Sequence, residues 1–117
     1  VALGILCNVL VCLAVWLTYS ARNTTDKILA ILFPVTAFVA NGFEHSIANM
    51  YFIPYALLIR QADPAFVAEL GDQINVAGLN WPAFFLNNLL PVTIGNIIGG
   101  AILVGIVYWL IYLRRVK

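Results

Sequence analysis

The segment NGFEHSIANM, residues 41–50, decides the fold, because it places Glu44 and His45 side by side in a run that is largely apolar from 28 to 59. As one straight helix this run would be about 48 Å long, whereas the hydrocarbon core of a bilayer is about 30 Å thick. Irregular backbone at membrane depth is tolerated only where it is buried in protein or lines a cavity. We therefore predict two half-helices joined by a non-helical break near 41–46.

The composition is that of a membrane protein, with 63% hydrophobic and 9% charged residues. Soluble domains are about half apolar and about a quarter charged, so this class is excluded. Two further apolar blocks, 1–20 and 83–113, are each long enough to cross a bilayer. The sequence predicts an all-α protein with three membrane spans, the second of them broken, and an external loop at 60–82. Because the chain opens inside an apolar block, we expect it to be a piece of a longer protein.

Basic residues predict the orientation in the membrane. The segments 21–27 and 114–117 contain five lysines and arginines, whereas the loop 60–82 contains Arg60 alone. Positive charge accumulates on the cytoplasmic side of membrane proteins. We expect 21–27 and the C-terminus to be cytoplasmic and the loop 60–82 to be periplasmic or otherwise external. The net charge of +1 by itself says nothing about partners, and no nucleic-acid partner is expected.

The small residues of the first and third blocks are interpreted as packing residues. Cys7 and Cys12 are five positions apart, about 140° around a helix, so they do not share a face and predict neither a disulfide nor a metal site. Gly95 and Gly99 form a GxxxG pair, which allows two membrane helices to approach closely. No cofactor and no catalytic residue are predicted.

Ionisable groups within a membrane span are expensive and usually functional. His45 suits a permeation path, because an unperturbed histidine changes charge near neutral pH and can donate a hydrogen bond when neutral. For Glu44 we favour a scaffolding role, in which its carboxylate accepts backbone N–H groups of the break. Asn8 serves either an interhelical hydrogen bond or the path, and Phe38 either narrows the path or packs in the core.

Two stretches resemble the formate/nitrite transporter family of microbial anion channels. They are FVANGFEHSIANMYFIP at 38–54 and NNLLPVTIGNIIGGAILVGIVYWLIYLRR at 87–115. Within the family, the residues at 51–54 and 90–93 are most similar to those of the formate channels.

The resemblance implies an aquaporin-like protomer of six helices, built from two inverted three-helix repeats. Residues 1–117 would be the second repeat, whose partners are the missing N-terminal repeat, the surrounding lipid and four further copies in a homopentamer. The location implied is a bacterial inner membrane, crossed several times.

The resemblance also implies roles for individual residues. The central histidine of the family falls on His45, its acidic neighbour on Glu44 and the outer constriction phenylalanine on Phe38. Asn8 and Asn96 correspond to pore-associated asparagines. The remaining residues of the break support its shape: Asn41, where the family more often has serine, Gly42 and Ser46.

The sequence leaves three classes of function open. The favoured one is a passive or proton-coupled channel for formate, with nitrite, hydrosulfide or a short carboxylate such as lactate as alternatives. A membrane-embedded enzyme subunit would need ligands beside His45, which is the single histidine of the sequence. A structural membrane anchor would explain the GxxxG pair but would leave the break and its histidine without a purpose.

Overall fold

The computed structural model describes residues 1–70, 76 and 78–114. These residues form five helices: α1 (Ala2–Thr18), α2 (Thr24–Ala40), α3 (Ser46–Ala62), α4 (Pro64–Glu69) and α5 (Trp81–Leu113). Part of the predicted external loop and the last residues of the basic C-terminus lie outside the described residues.

Polar caps fix the first residues of α2 and α5, which come before the predicted apolar blocks. The side chain of Asn23 accepts a hydrogen bond from the Asp26 N–H at 2.9 Å, so α2 begins four residues before the predicted span. Asn80 likewise accepts from the Ala83 N–H at 2.9 Å at the start of α5. Such caps satisfy backbone donors that the first turn of a helix leaves unpaired.

The longest helix, α5, is apolar enough and, with 33 residues, long enough to cross a bilayer. Three of its stretches have the wide turns of a π-helix, at Phe84–Leu89, Ile98–Gly105 and Trp109–Leu113. The first precedes Pro91, which has no N–H to donate to the preceding turn. Helix α1 is also apolar but, with 17 residues, is shorter.

Helix α1 lies between α2 and the middle of α5. Its contact with α5 is close because glycines face it. A Cβ atom on Gly95 would lie 3.2 Å from the Gly4 Cα, and one on Gly99 would lie 2.9 Å from the carbonyl carbon of Ile5. The two predicted packing glycines therefore occupy the α1–α5 contact, where any side chain would meet backbone.

Aromatic side chains join the ends of α1 and α5. Trp16 meets Tyr108 and Tyr112 edge to face, with ring centroids 5.4 and 5.9 Å apart, and Tyr19 lies 6.4 Å from Tyr108. Tyrosine and tryptophan are enriched where a membrane protein crosses the lipid–water interface. The cluster lies at the end of these helices for which the basic segments predict a cytoplasmic location.

Candidate functional site at the break between α2 and α3

The backbone leaves α2 through a glycine-dependent turn. Gly42 has φ +62°, a left-handed conformation that side chains other than glycine rarely adopt. The N–H of Phe43 donates to the carbonyl of Phe38 at 3.0 Å, as in the Schellman motif that ends many helices. The side chain of Asn41 donates to the Ala37 carbonyl at 2.7 Å. Asn41 and Gly42 thus end the first half-helix and set the direction in which the chain enters the break.

His45 and Ser46 start the second half-helix. His45 is the N-cap of α3, and its Nδ1 accepts the N–H of Ile47 at 3.2 Å. The buried Ser46 donates through both its N–H and its Oγ to the Oδ1 of Asn96, at 2.9 Å each. Since Nδ1 is an acceptor here, the hydrogen bond assigns the proton of a neutral imidazole to Nε2. The break therefore holds His45 in one orientation at the N-terminus of α3.

The side chain of Asn96 connects α5 to three other segments. Its Nδ2 donates to the carbonyl of Gly4 in α1 at 2.9 Å and to the carbonyl of Glu44 in the break at 3.0 Å. Its Oδ1 accepts from Ser46 at the start of α3. Asn96 is 6% exposed, so these bonds lie in the interior of the described fold.

Asn8 makes an interhelical hydrogen bond. Its Nδ2 donates to the backbone carbonyl of Asn96 at 2.6 Å, which ties α1 to the middle of α5. The glycine at position 100 leaves room for it, because a Cβ there would lie 3.2 Å from the Asn8 Cγ. The structure thus agrees with the packing alternative for Asn8, while contact with a permeating anion stays a prediction.

The carboxylate of Glu44 accepts hydrogen bonds from side-chain amides, and not from the backbone N–H groups that were predicted as its partners. Its Oε2 accepts from the Nδ2 of Asn49 at 2.5 Å and, more weakly, from that of Asn88 at 3.5 Å. The two amides are themselves joined at 2.8 Å. The predicted partners were wrong because the first N–H groups of α3 already donate to His45 and Asn96.

Phe38 and His45 lie against each other across the break. Their ring centroids are 5.9 Å apart with an interplanar angle of 39°, and both side chains are half-buried. Phe38 comes from the last turn of α2 and His45 caps α3, so the turn between the half-helices brings an apolar ring to the imidazole. Whether this pair narrows an anion path stays a prediction.

Sequence reasoning missed three residues of this site: Asn49, Asn88 and Gly4. A polar amide within an apolar block was the available signal for the two asparagines, since such a group needs a partner in the membrane. Nothing in the pattern around Gly4 shows that its carbonyl would accept from a residue 92 positions away.

The family assignment follows from comparison of the whole chain with known proteins. The formate/nitrite transporter family matches residues 1–110. The chain belongs to this family. The "Formate channel FocA" of Escherichia coli strain K12 is 54% identical over 117 residues, and the "Formate channel FocB" of the same strain is 50% identical. Each alignment covers 98% of this chain and, respectively, 41% and 42% of the relative.

A solved structure has the same fold. A "Pentameric formate channel with formate bound" superposes with a TM-score of 0.81 and 53% sequence identity, covering 97% of this chain and 45% of that chain. The helices of the described residues, with the broken pair α2–α3, therefore have the fold of the corresponding part of a solved formate channel. The chain spans less than half the length of these relatives.

Proposed function

We propose that the full-length protein containing this chain is a membrane channel for small monovalent anions, with formate as its main substrate. The observation that carries the proposal is the placement of His45, which caps α3 at the break and lies beside Phe38. The names of the most similar relatives, formate channels, support the choice of anion.

The geometry of the break suits an anion in two ways. The N-terminus of a helix carries a partial positive charge, which lowers the cost of removing an anion from water. With its Nδ1 occupied by the Ile47 N–H, neutral His45 presents Nε2–H as a hydrogen-bond donor. No covalent step is required, and the protein acts as a conduit and not as an enzyme.

Proton coupling is part of the proposal. A protonated His45 can transfer its Nε2 proton to formate, which then crosses as formic acid and leaves a neutral imidazole with its remaining proton on Nδ1. Proton uptake at Nδ1 removes the acceptor of the Ile47 N–H, so the charged form loses the cap that the neutral form makes. We propose that the protonation state of His45 depends on whether an anion occupies the path.

The assembly proposed is a homopentamer in a bacterial inner membrane, with one pore in each subunit. Residues 1–117 would supply the second three-helix repeat, and the remainder of the protein the first. The excess of basic residues at 21–27 and in the C-terminal segment supports a cytoplasmic location for both, with the loop 60–82 on the opposite side.

Uptake of labelled formate into proteoliposomes containing the full-length protein tests this function. We expect labelled formate to enter these proteoliposomes faster than it enters protein-free vesicles, and at different rates at two pH values. We expect nitrite, hydrosulfide and lactate to inhibit this uptake only weakly. Preference for one of the competitors would retain the channel and overturn the substrate. Absence of anion flux from correctly assembled protein would contradict the channel and favour a structural anchor.

Phe38→Ala is expected to raise anion flux or to admit larger carboxylates. If the phenyl ring narrows the path beside His45, its removal widens the path at that point. Uptake of formate and lactate by the variant, relative to the unchanged protein, measures the effect. Phe33→Ala is the matched control, since this phenylalanine of the same helix is 71% exposed. Flux and selectivity equal to those of the control would assign Phe38 to packing.

A further inference from the structure

The two peptide groups that flank His45 are bound to one side chain. The carbonyl of Glu44 belongs to the peptide before His45 and accepts from the Nδ2 of Asn96 at 3.0 Å. The N–H of Ser46 belongs to the peptide after His45 and donates to the Oδ1 of Asn96 at 2.9 Å. The backbone on both sides of the histidine is therefore fixed to the same amide group.

Other bonds hold that amide in place. Its second N–H donates to the carbonyl of Gly4, and the backbone carbonyl of Asn96 accepts from Asn8, so two contacts from α1 fix the residue on α5. A reversed amide would direct N–H groups at the donating Ser46 N–H and would lose these bonds. The hydrogen-bond network thus assigns a single orientation to the Asn96 amide.

Every hydrogen-bonding group of this amide is used within the protein. Its two N–H groups donate to Gly4 and Glu44, and its oxygen accepts twice, from the N–H and the Oγ of Ser46. A primary amide offers two donors and one oxygen with two lone pairs, so no group is left over for an anion. This differs from the substrate-path role that the family resemblance implies for Asn96.

We propose that Asn96 is a positioning residue that directs the imidazole of His45 by fixing the peptides before and after it. The proposal relies on the proposed function only for the role of His45 in the anion path. A carboxylate at this position lacks both donors, and an aliphatic side chain lacks every bond, so asparagine is the side chain that fits.

The test compares Asn96→Ala with Asn87→Ala in the full-length protein. Both changes remove an amide from α5, but Asn87 is exposed. Alanine avoids a new charge beside His45, and it leaves intact the bonds of Glu44, the charged neighbour in the break, to Asn49 and Asn88. Two readouts need no transport: amide hydrogen exchange of peptides covering 41–50, and the pH dependence of hydrogen exchange at the imidazole C2 of His45.

We expect Asn96→Ala to accelerate amide exchange in the break about tenfold, as the loss of buried hydrogen bonds predicts. We also expect it to move the midpoint of imidazole exchange, while Asn87→Ala resembles the unchanged protein. If Asn96→Ala does not fold, Ser46→Ala is used, since it removes the Oγ bond and retains the N–H bond.

Exchange in the break and an imidazole midpoint equal to those of the control would overturn the proposal. Faster amide exchange with an unchanged midpoint would overturn it too, because Asn96 would then stabilise the break without directing the histidine. Both readouts are independent of formate uptake. Failure of the unchanged protein to transport formate would therefore contradict the proposed function and leave this test decisive.

Discussion

Gly99→Ala is expected to destabilise the protein strongly, because α1 and α5 are in contact at this residue. An added Cβ would overlap the carbonyl of Ile5 and lie 2.9 and 3.0 Å from the Ile5 carbonyl carbon and Cα. All three atoms are backbone, so one helix must move. Overpacking typically costs about 1–3 kcal/mol, and in a membrane close packing itself holds helices together. The thermal midpoint of the full-length protein in detergent, followed by size exclusion, measures this loss.

Gly105→Ala is the matched control for that change. It lies on the same helix, and the nearest atom to its added Cβ is the carbonyl oxygen of Gly100 at 3.4 Å, an ordinary contact. We expect the thermal midpoint of this variant to equal that of the unchanged protein and to lie well above that of Gly99→Ala. Equal midpoints for the two variants would show that the α1–α5 distance is not set by Gly99.

His45→Asn is expected to abolish the pH dependence of formate uptake while the protein still folds. Asparagine is a good N-cap, so it can accept the Ile47 N–H as His45 does, but it does not titrate. Uptake into proteoliposomes across a series of pH values measures the effect. A pH profile equal to that of the unchanged protein would contradict His45 as the titrating group of the path.

Comparison of His45→Ala with His45→Asn separates the effect of the helix cap from the effect of the titrating group. Alanine removes both, so we expect the same flat pH profile together with a loss of about 0.5–2 kcal/mol of stability, the usual cost of a lost cap. The thermal midpoints of the asparagine and alanine variants compare the two. A midpoint of the alanine variant equal to that of the asparagine variant would remove the capping role from the account.

The break could be predicted from the sequence because its cause is local. Asn41, Gly42, Glu44 and His45 are poor lipid neighbours within a run too long for one span, and the structure leaves the helix at Asn41 and resumes it at Ser46. The helix ends were harder to place, since the residues that cap them, such as Asn23 and Asn80, belong to the polar connections.

The partners within the site could not be predicted, because they are distant along the chain. Asn96 meets Glu44, Ser46 and Gly4 across separations of 52, 50 and 92 residues. The sequence pattern does not show which residue of α5 lies beside which residue of the break. The same limit explains Glu44, whose amide partner Asn88 comes from α5 and not from the adjacent backbone. The GxxxG pair predicted a close helix contact but not that α1 would make it.

The proposed function requires His45 at the break to contact the permeating anion. Two structures of the full-length protein, one in saturating formate and one without formate, test this contact. We expect density for formate within hydrogen-bonding distance of the His45 Nε2, close to the ring of Phe38, with Asn96 still bound to Glu44 and Ser46. Formate bound elsewhere, with the imidazole of His45 enclosed by protein in both states, would contradict the proposed role of His45 in the anion path.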